Sequence, residues 1–226
     1  MICDDFEVQK SLPQFLLIRE STLSIDRCFR LSGELGDNIV LLRLQRAWAN
    51  EAAIKELFVR LRVALFEFRT THEFIVYADA FKGHITRAAW RAAANGRFPY
   101  CLVAASLTWA LQPCDVYAMA PYKRYLTSLW ARRVSVRGRQ ALTILEVIRC
   151  IDETVQSYLN NHDWSSAFQH LGLCGHQLLV SWSVLNKLGL HDIPPQLSTL
   201  PSLAQLQLVF PRRTALPLDD MFALYS

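Results

Sequence analysis

An α/β fold is predicted by three features of the chain. Two short runs of β-forming residues, Phe74 to Ala78 and Phe98 to Ala104, bracket a helical stretch from Thr86 to Ala94. Strand, helix, strand in that order requires a crossover, so the two strands run parallel. A hydrophobic content of 52% against 19% charged residues is ample for a buried core and argues against disorder.

The chain opens with Ile2 to Val8 and Phe15 to Arg19 flanking a polar segment that contains Lys10, Ser11 and Pro13, which predicts a β-hairpin. Residues 21 to 37 hold Gly33 and Gly36 amid mixed polarity and read as an irregular connection into a short strand, Ile39 to Leu44. From Asn50 through Phe68, apolar side chains recur every three or four positions (Ala53, Leu57, Leu61, Ala64, Leu65, Phe68), predicting an amphipathic helix capped by Asn50. After the βαβ unit, with its Asn95-Gly96 turn signal, helices are expected over Met119 to Val134 and Ala141 to Leu159. Shorter ones follow over Trp164 to Leu171 and Gln177 to Lys187, before a tail punctuated by five prolines from Pro194 onward. The expected organisation is a core over 1–128, a helical extension over 129–190 and the tail over 191–226.

Composition narrows the function classes. The six cysteines are scattered with no CxxC pair, which excludes common zinc-ligand spacings and predicts reduced, mostly buried thiols. Asp4, Asp5 and Glu7 near the start do not fit the basic, apolar pattern of a secretory leader, and apolar runs fall short of the roughly 20 residues a spanning helix needs. A soluble, intracellular protein is expected. The net charge of +4 is modest but uneven: Lys123, Arg124, Arg132, Arg133, Arg137 and Arg139 fall in a stretch without one acidic residue between Asp115 and Glu146. Such a run suits phosphate contacts, above all at Lys123, Arg124, Arg132 and Arg133, and suits a solvated helix face equally. Trp90, Trp109, Trp130, Trp164 and Trp182 read as core anchors before base-stacking platforms.

Two aspartates carry the chemistry. Asp79 ends a strand, where catalytic groups of parallel sheets sit, and His84 follows five residues later. Asp115 closes Leu111-Gln112-Pro113-Cys114-Asp115 ahead of a basic helix, with 35 residues between the two aspartates. This combination resembles the DDE superfamily endonuclease domain of pogo and mariner-like transposases, most clearly over 74–126 and more broadly over 1–175. The resemblance implies an RNase H-like mixed sheet flanked by helices. It implies Asp79 and Asp115 as the second and third acidic ligands of Mg²⁺ or Mn²⁺, with His84 in support. Two such ions activate the attacking oxygen and stabilise the leaving one in phosphodiester displacement. It also implies DNA as partner, room for a homo-oligomer, and a nuclear location. The family's first acidic strand has no match, because Ile2 to Val8 and Phe15 to Arg19 read as its second and third strands. Asp4 or Asp5 substitutes only if Ile2 to Asp5 is itself the first strand, with Ile39 to Leu44 then the third. A non-catalytic module that keeps the fold and binds DNA or a protein is the alternative.

Overall fold

The first helix forms where a strand is expected. Asp5 accepts the Val8 N–H at 2.8 Å and caps α1 (Phe6–Ser11), so Ile2 to Asp5 is no strand and the expected hairpin is absent. The computed structural model describes residues 1–104, 107–137 and 141–174, together with Asn186. Buried Gln9 and Gln14 hold the N-terminal segment in place: Gln9 Oε1 accepts the Cys3 N–H at 2.6 Å, and Gln14 Nε2 donates to the Met1 carbonyl at 2.9 Å.

Strand β1 (Gln14–Arg19) pairs in parallel with β2 (Ile39–Leu44), register Gln14 to Ile39 through Arg19 to Leu44. Parallel pairing needs a crossover, and α2 (Ile25–Ser32), capped by Ser24, supplies it inside the stretch expected to be irregular. Helix α3 (Glu51–Ala64) begins at Asn50, whose side chain accepts the Ala53 N–H at 2.9 Å, as expected. The expected βαβ unit follows as β3 (Val76–Asp79), α4 (Arg87–Gly96) and β4 (Tyr100–Val103), with β3 and β4 parallel. The fold is thus α/β, but the described strands form two parallel pairs instead of one mixed sheet.

Helix α4 ends in a Schellman-type turn. The Phe98 N–H donates to the Ala93 carbonyl and the Arg97 N–H to that of Ala94, both at 2.9 Å. This places Arg97 in the left-handed region at φ 57°. Gly96 is required beside it, because a Cβ there would lie 2.7 Å from the Phe98 ring. The left-handed conformation costs a side-chain-bearing residue roughly 1 kcal/mol. Arg97→Gly is therefore expected to raise the urea midpoint by an amount worth about 0.5–1 kcal/mol, read from equilibrium unfolding.

Short α5 (Thr108–Leu111) and a π-type turn (Cys114–Ala118) lead into α6 (Met119–Arg137). Next comes α7 (Ile144–Thr154), where Thr143 and Glu146 form a capping box. Thr154, fully buried, turns its hydroxyl back onto the Cys150 carbonyl at 2.7 Å. Such back-bonding bends helices, and here a second π-type turn (Val155–Leu159) replaces the end of the single helix expected to reach Leu159. Helix α8 (Ser165–His170) follows; apart from Asn186, which is helical, the helix expected over 177–187 and the tail lie outside the described residues.

Two clusters form the core. Ile18 and Ile39 of the first strand pair pack with α2, Ile148 of α7, Val155, Leu159 and Trp164, so residues on both sides of position 128 share one interior. Phe58 and Leu61 of α3 pack with Ala89, Ala93, Phe98 and Tyr100 around the second pair. Trp164 is a core anchor as expected, whereas Trp130 is 39% exposed. All six cysteines are free thiols, but only Cys28 and Cys150 are buried, and Cys101 is exposed. No helix among the described residues is long and apolar enough to cross a membrane.

Candidate functional site

Asp79 occupies the carboxyl end of β3, where the backbone is held by the Ala80 N–H donating to the Val103 carbonyl at 3.0 Å. Val76 and Ala78 pack into the second core, so the strand's alternation sends Tyr77 and Asp79 to the opposite face. The chain then turns through Phe81–His84, closed by the His84 N–H on the Phe81 carbonyl at 2.9 Å, and the imidazole comes back over the strand end. His84 Nδ1 lies 2.7 Å from Asp79 Oδ1 and 3.0 Å from the Asp79 carbonyl. Tyr100 steadies the same turn by donating its hydroxyl to the His84 carbonyl at 3.3 Å. Asp79, 41% exposed in its side chain, is open to solvent on its other side.

Asp115 stands exposed in the first π-type turn, one residue past the half-buried Cys114 and two past buried Pro113. It does not cap the helix with its side chain. Both aspartates bear electrostatically on the half-buried Cys114 thiol. Burial pushes that thiol up first, and the charges of Asp115 and Asp79 both add to the effect, while the Met1 ammonium opposes it.

The other acidic candidates go elsewhere. Asp5 caps α1, and the Val8 amide above all, with His72 at 3.4 Å adding to it, holds its carboxyl below the usual range. Asp4 accepts from the Cys3 thiol at 3.5 Å and lies near Cys174. Burial, with Asp4 adding to it, pushes the Cys3 and Cys174 thiols up to about 12 and about 11.

A divalent pair needs hard oxygen ligands and a bridging carboxylate between ions about 3.5–4 Å apart. Here one carboxylate is engaged by a histidine, and among the described residues no three His, Cys, Asp or Glu side chains gather as a metal-binding group. The side chains described do not meet what a Mg²⁺ or Mn²⁺ pair demands.

The basic run divides into two sets. Arg133 pairs with Glu153 and Arg137 with Glu146, tying α6 to α7 and its cap. Lys123, Arg124 and Arg132 are exposed and form no ion pair with a carboxylate among the described residues. At 3.6 residues per turn they lie on roughly one half of the helix circumference, spread over about 14 Å of axis, with exposed Thr127, Ser128 and Ser135 between them. Arg139 falls outside the described residues. A second set of cations was not singled out from the sequence: Arg87 and Arg91 on α4, with Arg62 on α3, border grooves beside α4. The signal for Arg87 and Arg91 was the lack of any acidic residue between Asp79 and Asp115.

No protein-family model, no curated protein and no solved structure matches this chain.

Proposed function

We propose that this chain is a nucleic-acid-binding module of DDE-transposase descent, built on an RNase H-like core, that holds DNA by its phosphates along α6. The observation that carries this reading is the exposed helix half bearing Lys123, Arg124 and Arg132 with no carboxylate partner among the described residues. Paired cations such as Arg133 are already neutralised; unpaired ones release counterions when they meet phosphate, and that release supplies affinity. Hydroxyls of Thr127, Ser128 and Ser135 add hydrogen-bond donors to the same face. Descent is supported by the parallel β3-α4-β4 unit, Asp79 at its strand end, and Asp115 opening the turn into the basic helix.

Strand cleavage is not part of the assigned activity, because Asp79 is engaged by His84 and no third ligand among the described residues joins the two aspartates. A DNA partner makes the protein intracellular and, in a nucleated cell, nuclear.

Fluorescence anisotropy of a labelled 20-base-pair duplex across a salt series tests the reading. Binding should be insensitive to sequence and weaken with salt at a logarithmic slope of about −3, near 0.9 for each neutralised phosphate. Affinity that does not respond to salt would sink it. In parallel, supercoiled plasmid with Mg²⁺ or Mn²⁺ should stay un-nicked by the wild type and by Asp79→Ala alike. Nicking that Asp79→Ala abolishes would restore the cleavage chemistry of the resembled family.

A further inference from the structure

Helix α4 turns two arginines and an indole outward. Ala89, Ala93 and Gly96 are buried and seat one side of the helix in the fold. At 3.6 residues per turn, Arg87, Trp90, Arg91 and Ala94, spaced i, i+3, i+4 and i+7, fall on the other side. These four border an open cleft of about 240 Å³, backed by Phe98 and Tyr100 at 4% and 7% exposure. Half-buried Trp90 meets Tyr100 at 5.1 Å with the rings 70° apart, an edge contact that takes at most one face of the indole. No carboxylate borders the cleft among the described residues. Arg91 also borders the adjoining groove of about 470 Å³ between α3 and α4, whose α3 wall carries Arg62. Arg62, Arg87 and Arg91 are exposed and form no ion pair with a carboxylate among the described residues, whereas Lys55 and Arg60 of α3 pair with Glu51 and Glu56.

We propose that this surface binds an unpaired nucleotide strand, with one base in the cleft beside Trp90 and the neighbouring phosphates on Arg87, Arg91 and Arg62. The mixture of side chains selects the ligand. Arginines without counter-charges draw phosphate, and an indole beside them offers a stacking surface that every base can use. Size sets the count: an apolar cavity of about 150 Å³ accepts benzene and drug-sized ligands fill roughly 300 Å³ or more, so about 240 Å³ takes one base. A duplex is kept out of the cleft because its bases are paired and stacked on one another. The surface lies on α3 and α4, so the assignment goes beyond duplex binding along α6 and is tested apart from it.

Fluorescence anisotropy with a labelled 12-nucleotide thymidine strand is run on the full chain carrying Lys123→Glu, Arg124→Glu and Arg132→Glu, in which α6 no longer offers phosphate contacts. The strand should bind with a logarithmic salt slope of about −2, near 0.7 for each of three phosphates. It should bind about tenfold more tightly than a duplex or an abasic strand of equal length, as one stacked base warrants. A uridine strand should match the thymidine strand, since the contacts are to base face and phosphate. Arg87→Ala with Arg91→Ala should bring the slope to about −0.7 and leave unfolding in urea unchanged. Trp90→Leu should erase the advantage over the abasic strand; if that variant unfolds, the abasic comparison on the intact ring carries the test. The proposal is overturned by equal affinity for the thymidine and abasic strands, by a duplex that binds as tightly, or by a slope that the arginine substitutions leave in place. It is equally overturned by an advantage that a folded Trp90→Leu keeps, by a gap above about tenfold between thymidine and uridine strands, or by no strand binding up to about 0.1 mM.

Discussion

The triple variant Lys123→Glu, Arg124→Glu, Arg132→Glu is expected to lose on the order of a hundredfold in duplex affinity at 0.1 M salt and to flatten the salt slope by about three. Each of the three is exposed and without an ion pair among the described residues, so the loss should not come from unfolding. Surface changes of this sort move stability by about 0.5 kcal/mol or less. Met119 and Tyr122, which pack α6 on the first core cluster, and buried Leu129 are left intact. Exchanging Lys for Arg and Arg for Lys at the same positions should keep the slope, because counterion release depends on charge and not on a fork of donors. A triple variant that binds as tightly as wild type would remove α6 from the interface and leave Arg87 and Arg91 of α4 as the next place to look.

Arg133 serves as an internal control. It stands in the same basic run, yet it pairs with Glu153 across the α6–α7 contact. Arg133→Gln should therefore change the salt slope little and lower stability by no more than about 1 kcal/mol, the range for a partly exposed pair.

That division was not legible in the sequence, since which arginine meets a carboxylate depends on how α6 lies against α7. Elements whose signals are local were legible. Asn50 capping α3, and the parallel β3-α4-β4 unit with Asp79 at its strand end, follow from a capping side chain and from β-forming runs flanking a helix. The misses have local causes too. Around α1, apolar Ile2, Phe6 and Val8 imitate a strand, but the Asp5 carboxylate on the Val8 amide fixes a helical turn. Around α2, Gly33 and Gly36 suggested a loop, although Ser24 as cap and Leu23, Cys28 and Leu31 as a buried stripe already encode a helix. At the site, a histidine five residues beyond an aspartate can face it or turn away. Only the Phe81–His84 turn, clamped by Tyr100 from the next strand, decides that His84 comes back to the carboxylate.

Trp164→Ala is expected to cost about 3–5 kcal/mol, a large share of the 5–15 kcal/mol typical of a domain. The side chain is 2% exposed in the core cluster that joins β1, β2 and α2 to the C-terminal helices. It packs edge-on against Tyr158 at 5.7 Å and donates its indole N–H to the Leu159 carbonyl at 3.0 Å. That carbonyl ends the second π-type turn, so truncation opens a cavity and also orphans an acceptor. Trp164→Phe retains much of the volume and loses the hydrogen bond, and should cost only about 1–2 kcal/mol. The difference between the two variants in urea unfolding thus separates packing from the hydrogen bond, and equal losses would mean the cavity term is minor here. Because Ala118 and Tyr122, at the base of α6, pack on this same cluster, Trp164 supports the helix that bears the unpaired cations without touching them. Below its lowered unfolding midpoint, Trp164→Ala should bind duplex DNA with the wild-type salt slope. The charge-reversed variant should show the converse, wild-type unfolding with the slope lost. If both variants moved both quantities together, the basic face would be inseparable from the fold, and phosphate binding along α6 would lose its support.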